Sequence, residues 1–155
     1  MIPQLLDYRL STDLLIMIVG LTHYHGGNIK ICESVLMKVL AFEDSFDIEA
    51  LLISGGVDIA KLDLCQFRDS SDYLTRIAEF EPEVLMLDHF MPPYTGLQVL
   101  QSLIQEVEKG AKRPGKIIAI SSASMANERM RQCGADLAIR KDLLATLEIW
   151  PRIST

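Results

Sequence analysis

Asp88 is the first residue that could do chemistry, because it ends an unbroken apolar run, Val84 to Leu87, and is followed by turn residues Pro92, Pro93 and Gly96. Three other apolar runs also end in polar groups: Val35–Phe42 in Glu43-Asp44, Lys116–Ile120 in Ser121-Ser122, and Leu137–Ile139 in Arg140-Lys141. Carboxylates from positions 43, 44 and 88 gathered in one place would repel one another unless a hard cation sat among them. Mg²⁺ suits such a set, since it takes oxygen ligands and keeps several waters. A carboxylate can act as a nucleophile toward phosphorus and form an aspartyl phosphate. The Lys141 ammonium and the Ser121 hydroxyl are what a phosphoryl group on Asp88 would then need, one for charge and one as a donor. Taken singly, each acid is no more than a solvated turn residue; only convergence makes a site of them.

Convergence depends on the elements behind these residues. Short apolar runs bounded by turn chemistry fit strands buried on both faces of a parallel sheet. Ligands of open α/β sheets bind beyond the carboxyl ends of such strands. Between the runs the spacing predicts helices. Asp47 to Ser54 puts Ile48, Leu51 and Leu52 on one face and stops at Gly55-Gly56. Ser70 or Ser71 caps a helix carrying Leu74, Ile77, Ala78 and Phe80, closed by Pro82. Thr95 or Gly96 opens a longer one with Leu97, Leu100, Leu103, Ile104 and Val107, ended by Gly110. Shorter helices are predicted from Asn127 to Cys133 and from Asp142 to Trp150, and a second strand from Val57 to Leu64. The alternation of strand and helix implies an α/β fold, a doubly wound five-stranded parallel sheet flanked by helices. Leu14 to Gly20 also reads as a strand, but placing it first leaves no acids at its end and an overlong connection. Val35–Phe42 is therefore taken as the first strand.

From Val35 onward the chain resembles the receiver domain of bacterial two-component response regulators, a flavodoxin-like fold. The resemblance rests on Leu40-Ala-Phe-Glu-Asp-Ser45, Asp88-x-x-Met91-Pro92-x-x-x-Gly96, Ile117-Ile-Ala-Ile-Ser121-Ser122 and Gly134-Ala-Asp-Leu-Ala-Ile-Arg-Lys141, four motifs in order. It implies that Asp88 is the phosphoacceptor and that Glu43, Asp44, Asp88 and the Phe90 backbone carbonyl hold Mg²⁺. Ser121 would report phosphorylation and Lys141 would bridge to the phosphoryl group. The implied partners are a histidine kinase or phosphotransfer protein and a downstream protein, with a phosphorelay step or a homodimer as other outputs. No enzyme activity is implied beyond Mg²⁺-dependent self-phosphorylation and slow self-dephosphorylation. The chain departs from the family at Ala138, where an aromatic is frequent, and at Asp142, where proline is usual. The segment between Ser121 and Gly134 is also slightly short. These departures concern the Ser-to-aromatic switch and the partner face rather than the pocket. They favour, as an alternative, a phosphorylation-independent protein-binding module. A phosphatase using an Asp nucleophile would want a second acid two residues on, where Phe90 stands.

Residues 34–155 are assigned to the receiver domain and 1–33 to an N-terminal extension without counterpart in the family. The extension is expected to be dispensable, Met37 being the kind of place where receivers begin; the rival is an added element covering an edge or mediating self-association. His23 and His25 are a histidine pair without further ligands. His89, beside the acceptor, is expected to be exposed. Met86, Met125 and Met130 are expected in the core or on the surface. A formal net charge of −6 over 155 residues argues against non-specific nucleic-acid binding. Cys32, Cys65 and Cys133 are odd in number and show no C-x-x-C spacing, so they read as free, buried thiols of a cytoplasmic protein. Leu14 to Leu21 is too short to span a bilayer.

Overall fold

The four residues Val39 to Phe42 have no exposed surface at all, which only a central strand covered on both faces can achieve. The computed structural model describes residues 35–154. Five strands, β1 (Met37–Phe42), β2 (Leu62–Phe67), β3 (Val84–Leu87), β4 (Lys116–Ala119) and β5 (Leu137–Ala138), pair in parallel in the order β2-β1-β3-β4-β5. The doubly wound fold read from the sequence is the observed one. Side chains alternate between the two faces, as the two-residue period of a strand requires. Val39, Ala41, Val84, Met86, Ile118 and Ile120 face one core, completed by Ile48 and Leu52 of helix α1 (Ile48–Ser54), with Leu144 and Trp150. Leu40, Phe42, Leu85, Leu87, Ile117 and Ala119 face the other. That second core is closed by helices α2 (Tyr73–Phe80), α3 (Gly96–Glu108) and α4 (Ser124–Gln132).

Helix boundaries follow from local chemistry. The Asp47 side chain accepts the Ala50 N–H and starts α1. Thr95 and Gln98 form a reciprocal capping box on α3, each side chain satisfying the other's backbone N–H. Helix α4 begins at Ser124, three residues ahead of expectation.

Three expectations require correction. The second strand runs Leu62–Phe67, not Val57 to Leu64. Val57 is buried instead under the end of α1, its N–H held by the Leu52 carbonyl, and Ile59–Lys61 form a 3₁₀ turn. Helix α2 is preceded by Asp72 in the left-handed region (φ 49°) rather than capped by Ser70 or Ser71. The Ser70 hydroxyl is committed elsewhere, donating to the Tyr94 carbonyl and accepting its N–H. Finally, no α-helix spans Asp142 to Trp150; the chain makes a 3₁₀ turn, Lys141–Thr146, and then extends at Leu147. The carbonyls that a helix would have used are taken by side chains. The Trp150 indole N–H donates to Leu144, and the Arg152 guanidinium donates to Ala145 and Leu147. The Leu14–Gly20 run, His23, His25, Cys32 and the 1–33 extension lie outside the described residues.

Candidate functional site

Because the strands are parallel and in register, their carboxyl ends deliver the polar residues to one edge. Asp88 follows β3 directly, its N–H held by the Phe42 carbonyl of β1. Glu43 follows β1, with its N–H held by the Phe67 carbonyl of β2. The loop after Asp88 is pinned by a close approach: the Gly96 N–H donates to the His89 carbonyl, and any Cβ at position 96 would run into the Asp88 backbone. Glycine is required there for the start of α3 to pack against the strand end.

Carboxylate oxygens of Glu43, Asp44 and Asp88 lie within 4.8 Å of one another. Glu43 is fully buried and Asp88 is 2% exposed. One oxygen of Glu43, Oε1, accepts the N–H groups of Ser45 (2.8 Å) and Phe46 (3.0 Å), which fixes the carboxylate on its own loop. The other, Oε2, faces the pocket, as does Asp88 Oδ1; neither takes a well-aligned hydrogen bond. Their countercharge is Lys141, whose Nζ stands 2.7 Å from Glu43 Oε2 and 3.4 Å from Asp88 Oδ1. The lysine stem passes the Phe46 ring, with the ammonium 4.7 Å from its centroid. Burial pushes the Asp88 carboxyl above its ordinary pKa, and the Glu43 charge pushes it the same way. Lys141 and the backbone N–H of His89 oppose that shift. One ammonium against three close carboxylates leaves negative charge over, and carboxylate oxygens are the ligands that Mg²⁺ takes. The residues present therefore fit a hard divalent cation.

Ser121 is fully buried at the end of β4, two residues past the partner of Leu87 in the β3–β4 ladder, and its hydroxyl accepts the Ala123 N–H (3.2 Å). Beside Lys141 a shallow hollow of about 450 Å³ opens to solvent, lined by Phe46, Leu51, Ser122, Ser124, Arg140 and Asp142. The Phe90 ring is 63% exposed and stands edge-on to His89. His89 is half-buried rather than exposed, with Nδ1 buried and unpartnered. Met86 and Met130 are core residues and Met125 is exposed. Cys65 and Cys133 are free thiols, half-buried rather than fully enclosed.

Two polar residues near the site escaped the sequence reading. Asn127, 5% exposed, accepts the Ser121 N–H with its side-chain oxygen and donates to the carbonyls of Ser121 and Ile139. It thus ties the end of β4 to the end of β5. Gln66 donates to the carbonyls of Glu43 (2.8 Å) and Phe46 (2.7 Å) and accepts the Ile48 N–H (3.0 Å). A signal for Gln66 existed: it continues the inward alternation of Leu62 and Leu64, where an apolar residue is expected.

No family model matches the chain, and no curated protein does. Solved structures do. A response regulator signal receiver domain from Bermanella marisrubri is 26% identical, with a TM-score of 0.55 over 68% of this chain and 86% of that one. The signal receiver domain of a LuxO repressor protein from Vibrio parahaemolyticus is 21% identical, with a TM-score of 0.57 over 72% and 82%. This is the fold of a response regulator receiver domain. A third receiver-fold neighbour, the phosphorylated cyanobacterial phytochrome response regulator RcpA, is 16% identical, with a TM-score of 0.54 over 72% and 84%. The receiver fold resembled by the four motifs is thus the fold observed, and the likeness at 26% identity supports a receiver role for the chain. Among the described residues, no helix is long and apolar enough to cross a membrane.

Proposed function

We propose that the chain is a Mg²⁺-dependent receiver in a cytoplasmic phosphorelay, taking a phosphoryl group on Asp88 from a histidine kinase or phosphotransfer protein. Its output passes to a partner protein, and it carries no activity beyond its own phosphorylation and slow dephosphorylation. What supports this reading above all is the meeting of Glu43, Asp44 and Asp88 beneath one buried lysine.

Asp88 attacks phosphorus through a carboxylate oxygen, and the bond from phosphorus to the donor's imidazole nitrogen breaks as the acyl phosphate forms. Lys141, 3.4 Å from Asp88 Oδ1, lowers the cost of keeping Asp88 ionised before transfer and would then pair with a phosphoryl oxygen. Glu43, Asp44, Asp88 and the Phe90 carbonyl would hold Mg²⁺, which when bound offsets charge on the phosphoryl oxygens. Two backbone N–H groups hold Glu43 Oε1, which leaves Oε2, paired with Lys141, as the oxygen turned to the site. Ser121 supplies a hydroxyl donor from β4. The test is intact-mass measurement after acetyl phosphate and Mg²⁺. A gain of one phosphoryl group, lost in Asp88→Asn and in EDTA, is the expected result; no gain in the native chain overturns the reading.

A second reading, a protein-binding module that works without phosphorylation, is favoured by one observation. Strand β5 is only two residues long and carries Ala138 where a switching aromatic would stand. Under it, partner binding persists unchanged in Asp88→Asn.

A further inference from the structure

The acidic pair at positions 43 and 44 sits on a loop, and loops are the mobile parts of such a fold. A divalent cation needs its ligands at fixed places, so something must hold residues 43–48 before the cation arrives. Glu43 fixes only its own side of that loop, through Ser45 and Phe46. The other side is held from the neighbouring strand. Gln66, the penultimate residue of β2, inserts one primary amide among three backbone groups of the loop. Its NH₂ spans the carbonyls of Glu43 and Phe46, while its oxygen takes the N–H of Ile48, the first residue of α1. Three of the four hydrogen bonds open to that amide are made, at 2.7 to 3.0 Å. No other side chain of similar length carries both functions: a carboxylate would oppose two carbonyls, and an ammonium could not accept from Ile48.

The geometry points to Gln66 as the positioning residue of the cation site. It touches neither the cation nor the phosphoryl group, and it acts by fixing the backbone from which Glu43 and Asp44 project. This inference rests on the receiver reading, since it presumes that the three carboxylates bind a divalent cation. Partners that orient metal ligands matter to affinity about tenfold or more when removed.

The test is calorimetric titration of the full chain with Mg²⁺, native against Gln66→Met, which keeps side-chain length and removes the amide. The expected result is a rise of about tenfold in the Mg²⁺ dissociation constant. Phosphorylation by acetyl phosphate should then need more Mg²⁺ but recover the native rate at saturation. A role in folding alone would lower thermal stability and leave the dissociation constant unmoved, which overturns the inference while the receiver reading stands. Native protein that binds no Mg²⁺ overturns both. Should Gln66→Met fail to fold, the native chain decides by NMR. Gln66 NH₂ protons slow to exchange with solvent support the clamp, and exchange at the rate of a free amide refutes it.

Discussion

The two halves of the sheet edge are built differently. On the β2-β1-β3 side every loop that carries an acid is held from a neighbour. Gln66 clamps residues 43–48, Ser70 bonds the backbone of Tyr94 in both directions, and Gly96 lets α3 press against Asp88. On the β4-β5 side the sheet tapers to a two-residue strand followed by a 3₁₀ turn, and Asn127 is the side chain that joins the two strand ends. Charge must be held at fixed distances to be useful, whereas a surface that reports on that charge needs room to move. The rigid half carries the carboxylates and the thinner half carries Lys141, their countercharge.

That contrast can be broken most severely at Lys141. Lys141→Ala leaves buried carboxylates facing one another with no countercharge, and chemical denaturation in EDTA should show a loss of about 3 kcal/mol, partly restored by Mg²⁺. An unchanged midpoint would mean that the ion pairs with Glu43 and Asp88 contribute nothing to the rigid half. Next in size is Asn127→Ala, which leaves the buried N–H and carbonyl of Ser121 and the part-buried carbonyl of Ile139 without their partner and should cost about 2 kcal/mol. Amide exchange should then quicken in β5 and not in β1; equal quickening in both would erase the distinction between the halves.

A smaller effect of opposite sign is expected at Asp88. Its pKa is raised in the folded state by burial and by Glu43, so the ionised form is disfavoured on folding at neutral pH. The penalty is absent below the ordinary carboxyl pKa, where both states are protonated, and is in full force above the raised value. Asp88→Asn in EDTA should therefore stabilise the chain at neutral pH by roughly 1 kcal/mol, a gain that fades as the solution is acidified. A substitution that destabilises at neutral pH would contradict the strain assigned to the acidic cluster. The smallest change is at Phe90, whose ring is half of an edge-on pair with His89 beside the acceptor. If the ring shields the acyl phosphate, Phe90→Asn should shorten its lifetime a few-fold in a decay assay; slower decay in the variant would refute shielding.

Much of the rigid half was legible before the structure, because its chemistry stands where apolar runs stop. Phe42 and Leu87 are each followed by an acid, and a parallel sheet sends those ends to one edge. The rest was harder to read. Asp142 to Trp150 has the composition of a helix, yet its carbonyls are claimed by Trp150 and Arg152, and such competition appears only once the chain has folded back. Val57 is apolar because it closes the core beneath α1, not because it lies in a strand. Gln66 and Asn127 bond mainly to backbone groups, and a sequence does not display which carbonyls will be left in want of a donor.

The central claim is that Asp88, and no other residue, is where phosphorus becomes attached. Borohydride reduction after treatment with acetyl phosphate, followed by peptide mapping, tests it directly, since an aspartyl phosphate is converted to homoserine. Homoserine at position 88, formed only with Mg²⁺ present, is the expected product. Modification at a different residue, or none at all in protein that is folded and saturated with Mg²⁺, would contradict it.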